Sequence, residues 1–372
     1  MAKTVFGVGD PKAVQKYSAL LAVDVGRTSY FNKKMMGVGE DAQTPIQTLP
    51  HLESDAGDKI SYDLVMQLKM RPVSGDQTLR GKEEDLKFYT DSLLIDQQRG
   101  GVNGGGKMSN KRVIHDIRKI SKTRQAEWWA RLFDETLFMY LSGARGVNED
   151  FIEGTDFAGY AGNAFVAPDD KHLLHGGNAT SKATLDSADK FDLGLIDRAV
   201  TRAETMGGGS SGIPAIQPVM IDGEEHYVIV MHPFQEYDLR RNSATGEWLD
   251  IQKAAAAAEG RNNPMFKGSL GMYNNVILHK HRGVIRFSDY GAGNNVTAAR
   301  ALFLGRQAGV VAFGSSGTGL RFDWNEEMED RGNQVVITTG SIFGVKKTAF
   351  TINGTSRDFG TIALDTAVTD PT

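Results

Sequence analysis

The chain has 372 residues, a formal net charge of −4 and no cysteine. That length can bury a large core, in one mixed domain or in two or three. The charge advertises no global basic surface for nucleic acid, and the absence of thiols excludes disulfides, thiol catalysis and thiolate metal centres. The longest apolar run near the N-terminus, Ala19–Val23, is too short for a signal segment or a membrane span, so a soluble protein made in a cytoplasm is expected.

Residues 1–57 show little periodicity and several turn formers, including Pro45, Pro50 and Gly57. They read as an extended arm with one short helix near Lys12–Val23. Residues 59–73 alternate, placing Ile60, Tyr62, Leu64, Met66, Leu68 and Met70 on one strand face. A polar tip follows over 74–85, and a second extended run over 86–99 returns. The pattern predicts a long two-stranded hairpin with roughly a dozen residues in each arm. A lone ribbon is marginal in water, so this one must lie on its own domain or on a neighbour's.

Residues 100–112, GGVNGGGKMSNKR, read as a mobile glycine joint. Within them Gly101-x4-Gly106-Lys107 fits the phosphate-loop pattern except at its last place. Met108 stands where a hydroxyl should bind magnesium, and a thioether is a poor ligand for that ion. The preceding SLLIDQQRG ends in polar residues, which argues against a buried strand entering the loop. The joint is the preferred reading, with a nucleotide-binding enzyme using Gly101–Lys107 as the less favoured alternative.

The strongest helical pattern runs from about Asn110 to Ser142 and closes at Gly143. Its first half carries Lys111, Arg112, Arg118, Lys119, Lys122 and Arg124 against the single acid Asp116. The helix dipole disfavours positive charge there. A solvated face is the plain expectation, and contact with a polyanion is the other.

Residues 144–185 look irregular. A second amphipathic helix is expected over 192–206, a buried strand over 224–233, a short helix over 250–260 and a strand pair over 274–287. The Gly- and Ala-rich stretch 299–314 reads as helical, and 334–350 with 359–368 as a closing sheet hairpin. The class is α+β, without βαβ alternation or internal repeat.

No catalytic constellation assembles from the residues. Gly208-Gly209-Ser210-Ser211-Gly212 matches a hydrolase elbow, but a helix precedes it and Ile213-Pro214 follows, so it reads as a linker. His279 and His281 could share a metal from one strand face, yet no acid lies near them in sequence and packed histidines are the simpler account. Glu326, Glu327, Glu329 and Asp330 crowd together without the spacing of a calcium loop, which suggests an exposed acidic turn. No enzyme activity, cofactor or metal is expected.

The order of arm, hairpin, long helix, mixed domain and terminal hairpin resembles the N-four-like family of tailed-bacteriophage major capsid proteins, of HK97-like fold. The matching residues include Pro45-Ile46, Gly57-Asp58, Gly75-Asp76, Leu79, Gly81, Glu84, Leu86, Trp128, Asp134 and the stretches LLIDQQR, NAFVAPDDKH, YVIVMHP, GEWLDIQ, ALFLGRQA and DRGNQVVITTGSIFGVKK. The most specific piece is NPMFKGSLGMYNNVILH over 263–279, where Asn275 departs from the glycine expected after Tyr-Asn.

The resemblance implies a shell subunit forming pentamers and hexamers of an icosahedral head around double-stranded DNA, assembled in a bacterial cytoplasm without a membrane. It implies an N-terminal arm (1–57), an E-loop hairpin with its glycine joint (58–109), a P-domain with spine helix (110–185), an A-domain (186–332) and a C-terminal hairpin returning to the P-domain (333–372). Arg80, Lys82, Glu83 and Glu84 would set register with a neighbouring subunit, and Gly104, Gly105 and Gly106 would form a hinge. The basic half of the long helix would face the interior. Only 57 residues precede the hairpin, so a separate scaffolding protein is expected, together with a portal and room for a decoration protein. An encapsulin-type nanocompartment shell shares the fold and is the alternative.

Overall fold

The computed structural model describes residues 11–39, 42–53, 57–66, 68, 70–112, 117–160, 162–207, 213–221, 223–242, 265, 269–315 and 320–371. The N-terminal region is built of regular elements rather than an extended arm: helices α1 (Pro11–Thr28) and α2 (Tyr30–Lys34), then strands β1 (Met36–Val38) and β2 (Ile46–Leu49). In α1, Leu21 and Val25 are buried one turn apart. Strands β3 (Lys59–Val65) and β4 (Phe88–Leu94) form the predicted hairpin. Each strand has seven residues rather than about a dozen, and no strand lies between them among the described residues.

The glycine stretch corrects the sequence reading. It lies in β5 (Asp96–Gly106), an eleven-residue strand that runs directly into helix α3 (Lys107–Arg112). The long helix is α4 (Ile117–Ser142), of 26 residues and so about 39 Å long. Beyond it the predicted irregular region holds only short elements, among them β6 (Leu173–His175). Then come α5 (Leu193–Thr205), β7 (Val219–Ile221), β8 (Glu224–Met231) and α6 (Pro233–Asn242). Helix α5 and strand β8 fall where the pattern placed them, whereas the predicted helix over 250–260 lies outside the described residues.

Strands β9 (Gly271–Tyr273), β10 (Val276–Lys280) and β11 (Arg286–Tyr290) follow. The stretch read as helical is instead β12 (Val296–Leu304) and β13 (Gly309–Gly314), joined by a turn in which Gln307 has φ 54°. An unbroken apolar run suits a strand covered on both faces as well as a buried helix, and β12 is buried from Ala298 to Leu304. The chain closes with β14 (Phe322–Glu329), β15 (Gln334–Lys347), β16 (Ala349–Ile352), β17 (Thr355–Asp358) and β18 (Thr361–Ala367). Strands β15 and β18 belong to different sheets, so the expected closing hairpin is replaced by the smaller pair β16–β17.

Two compact units emerge, each assembled from separate stretches of chain. The first comprises 1–60, 93–165 and 309–346, and the second 61–92, 166–308 and 347–372. The first unit contains the sheet β1-β2-β13-β15-β14, with β5 also paired to β15. Helix α4 packs there through Trp129, whose ring lies 5.5 Å from Phe322 and whose Nε1 donates to Thr339 Oγ1 at 2.9 Å. Every residue from Leu132 to Ser142 is buried, as expected of a helix enclosed on all sides.

Asp134 of that helix holds α2. It accepts from Ser29 Oγ at 2.7 Å and from the Tyr30 and Phe31 N–H groups at 2.8 and 3.2 Å. Burial pushes its carboxyl up to about 6 and outweighs the donors, which act to lower it. The folded value exceeds the unfolded one of about 3.9, so the folded subunit takes up this proton first. The contribution of Asp134 to stability therefore grows as pH falls through about 6 and is complete below about 4. Unfolding by urea across that window should favour wild type over Asp134→Asn by up to about 3 kcal/mol more at pH 4 than at pH 7; a pH-independent difference would refute the assignment.

The second unit contains the sheet β6-β18-β12-β8-β10-β9, with β11 on β12 and β7 on β8. Leu195, Ile196, Ala199, Val200 and Ala203 of α5 pack with Ile229 of β8, Phe303 of β12 and Leu364 of β18.

Candidate functional site

In the β3–β4 hairpin the predicted alternation is real near its base. Tyr62, Leu64 and Met66, with Tyr89 of β4, pack against Phe350, Ile352 and Phe359 at the β16–β17 pair. Tyr62 meets the Phe350 ring edge-on at 5.8 Å and donates to Asp91 Oδ2 at 2.8 Å. Sequence reasoning saw the hairpin face but missed its seat, which lies some 290 positions further along the chain. A local signal was present: Asn353-Gly354 joins paired Ile352 and Thr355, and both turn residues have positive φ, 52° and 80°. That is the turn a two-residue hairpin requires.

Beyond the seat, and on the strand face turned away from it, large apolar side chains are open. Val65, Leu68, Met70, Leu79, Leu86 and Phe88 are all exposed, with Leu79 at 53 %, Leu86 at 57 % and Phe88 at 59 %. At the tip Arg80, Lys82 and Glu83 are exposed and Glu84 is half-buried. Part of this charge serves the turn itself, since Gly81 N–H donates to Glu83 Oε2 and Lys82 Nζ to Gln77 Oε1 at 3.4 Å. The open face is therefore as much apolar as charged.

Gly104, Gly105 and Gly106 end β5, whose partner is β15: Gly100 pairs with Thr339, Gly101 with Thr338 and Gly106 with Gln334. A Cβ on Gly104 would lie 2.9 Å from Val335 O, and Gly105 has φ 73°. At Gly100 a Cβ would meet the Trp128 ring at 2.8 Å. These glycines thus allow close packing within the sheet.

The phosphate-loop reading needs a correction of its own. A strand does enter a helix at Gly106–Lys107, but only Gly104 in it is buried, in keeping with the polar end of SLLIDQQRG. It is an extended strand in a ladder rather than a loop whose N–H groups converge, and Lys107 N–H donates to Asn333 O at 3.1 Å. The geometry holds no phosphate cradle.

Of the basic residues before and within α4, Lys111, Arg112, Arg118, Lys119 and Arg124 are exposed and Lys122 is half-buried. Three of them meet acids of the same unit. Arg118 pairs with Glu326, Lys122 with Asp24 at 2.9 Å and Arg124 with Glu127 at 2.7 Å. Glu326 lies in β14, so the acidic stretch is mostly paired strand, with only Asp330 beyond it.

His279 is buried, and its Nε2 lies 2.6 Å from Met265 O. No group of three metal-ligating side chains occurs among the described residues, nor is any described helix long and apolar enough to cross a membrane. The elbow-like Gly208–Gly212 lies outside the described residues.

Comparison with known proteins adds the following. A family model described as phage capsid protein matches residues 5–370. The major capsid protein of Pseudomonas phage KPP25 is 26 % identical over 341 residues, covering 88 % of each chain. Among solved structures, the capsid of Ralstonia phage GP4 aligns over 100 % of both chains at 52 % identity with TM-score 0.85. The cyanophage Pam1 capsid aligns over 92 % of this chain and 93 % of its own at 21 % identity with TM-score 0.69.

Proposed function

Since this chain belongs to the phage capsid protein family, and is the major capsid protein of a phage head with an HK97-like fold, we propose that its copies close into pentamers and hexamers of an icosahedral shell around double-stranded DNA. The observation that carries this reading is the β3–β4 hairpin, seated at its base and apolar on its open face. A second copy of the chain is the fitting cover. Fully burying one Leu or Phe side chain contributes about 1.5–3 kcal/mol, and many modest contacts become a stable shell through multivalency.

Arg80, Lys82, Glu83 and Glu84 would then set the register of that contact more than its strength. The division into arm, E-loop, P-domain, A-domain and returning C-terminal segment is carried over as part of this proposal, as is pivoting at Gly104–Gly106. Replacing all three glycines by alanine would disturb the β5–β15 ladder as well as any pivot, so hinge motion is better tested by cross-linking β5 to β15 and asking whether expansion still occurs.

An interior position for Lys111, Arg112 and Lys119 is supported by their exposure. Neutralisation of Arg118, Lys122 and Arg124 within the subunit favours weak, sequence-independent contact with DNA. A separate scaffolding protein, a portal and assembly in the host cytoplasm complete the proposal. The matched family and capsids are those of phages, which favours a phage head over a nanocompartment shell.

Negative-stain electron microscopy of the protein co-expressed with the scaffolding gene of its own phage should show closed shells. Only small uniform particles under those conditions would overturn the proposal.

A further inference from the structure

Lys347 ends β15 and Asp358 ends β17, and the small β16–β17 pair brings them together. Ala349 stands opposite Asp358 in the ladder, and Phe359 N–H donates to Thr348 O at 3.1 Å. The backbones on both sides are therefore held. Lys347 Nζ lies 2.8 Å from Asp358 Oδ2, with the two side chains only 1 % and 2 % exposed.

A close ion pair ordinarily holds a lysine up and an aspartate down. Here burial wins on both sides. It pushes the Lys347 amine down, reinforced by the Arg300 guanidinium, and the Asp358 carboxyl up, reinforced by Asp169. Both directions favour the neutral amine and the carboxylic acid, the forms able to condense. Asp169 stands beside them, accepting from Asp358 N–H at 3.0 Å and pairing with His172 Nδ1 at 2.9 Å. Burial acts to raise its carboxyl, but the bond to His172 together with other donors holds it well below the usual range. It is thus an ionised carboxylate next to the pair, placed to relay a proton in passing rather than to hold it.

We propose that Lys347 and Asp358 condense into an isopeptide bond within the folded subunit, with Asp169 carrying the proton. The neutral Nζ attacks Cγ of the protonated Asp358 and a C–N bond forms. Asp169 takes a proton from the nitrogen and returns it to the departing hydroxyl, the C–O bond breaks, and one water leaves. The amine gives up one hydrogen and the acid its hydroxyl, so no oxidant or co-reactant is needed. The bond closes a covalent ring over the β16–β17 pair, which is the seat of the long hairpin. It would lock Phe350, Ile352 and Phe359 in place whenever the hairpin is pulled by a neighbour.

The test is a tryptic digest of the denatured full-length protein, read by mass spectrometry with the intact mass beside it. Expected are an intact mass lower by one water, no cleavage after Lys347, and a branched peptide joining Lys347 to Asp358. Asp358→Asn should yield the same branched product with loss of ammonia instead. Asp169→Ala should slow conversion, leaving a fraction cleaved after Lys347. Linear peptides with free Lys347 from the wild-type protein overturn the proposal. So does a water deficit on a linear peptide, which would mark a succinimide. Because the wild-type digest decides, poor folding of a variant does not blunt the test.

Discussion

Trp129→Ala is expected to destabilise the subunit by about 4 kcal/mol, at the upper end for core truncation. The ring is 1 % exposed and lies within 6.5 Å of both the Phe322 and Phe343 rings. Its removal leaves a large void between α4 and β15. It also strips Thr339 Oγ1, itself fully buried, of its indole donor, and an unmade buried hydrogen bond adds about 1 kcal/mol or more. Trp128→Ala is the internal comparison. That ring is half-buried and rests over Gly100, so its loss removes less packing and should cost well under half as much. Urea unfolding of the unassembled subunits measures both. Equal losses would mean that α4 is rotated relative to the sheet from the orientation described.

The second large effect is on assembly rather than on folding. Leu86→Asp combined with Phe88→Asp should leave the unfolding midpoint close to wild type, because both side chains are more than half exposed and surface changes typically stay within about 0.5 kcal/mol. Closed shells should nevertheless be lost. Each subunit would present two carboxylates where an apolar cover is needed, and the loss repeats at every hairpin of the shell. Sedimentation velocity of the co-expressed double variant reads the outcome. Shells at wild-type yield would show that the open hairpin face is not the contact. An unfolded subunit would show that those residues support the chain's own core.

Much of the hairpin and the helices was legible locally. Alternation from Ile60 to Met66 predicted a face that is partly buried, and the basic residues Arg118, Lys119 and Arg124 marked the exposed side of the first half of α4. The same logic failed wherever one pattern serves two environments. Residues 299–314 are Ala- and Leu-rich, which suits a helix, yet they form β12 and β13 because other strands flank them. Val230 of β8 and Ala363 of β18 sit on either side of Leu302. No periodicity survives in a strand covered on both faces.

Residues 100–106 read as an irregular connector because glycine allows freedom, yet they form a paired strand. Here glycine supplies closeness, with Trp128 and the Val335 carbonyl occupying the space a side chain would take.

The residues read in order were enough for the class, the hairpin, the position of the long helix and, through motifs spread over most of the chain, the family. Those features follow from local period and composition, or from residue order, which folding does not alter. It took the folded chain to show that the glycine run is a strand, that Phe350, Ile352 and Phe359 seat the hairpin, and that Lys347 meets Asp358 out of water. Each of these depends on which distant segment fills the space beside a residue, and burial sets both the packing of a glycine and the charge of a lysine.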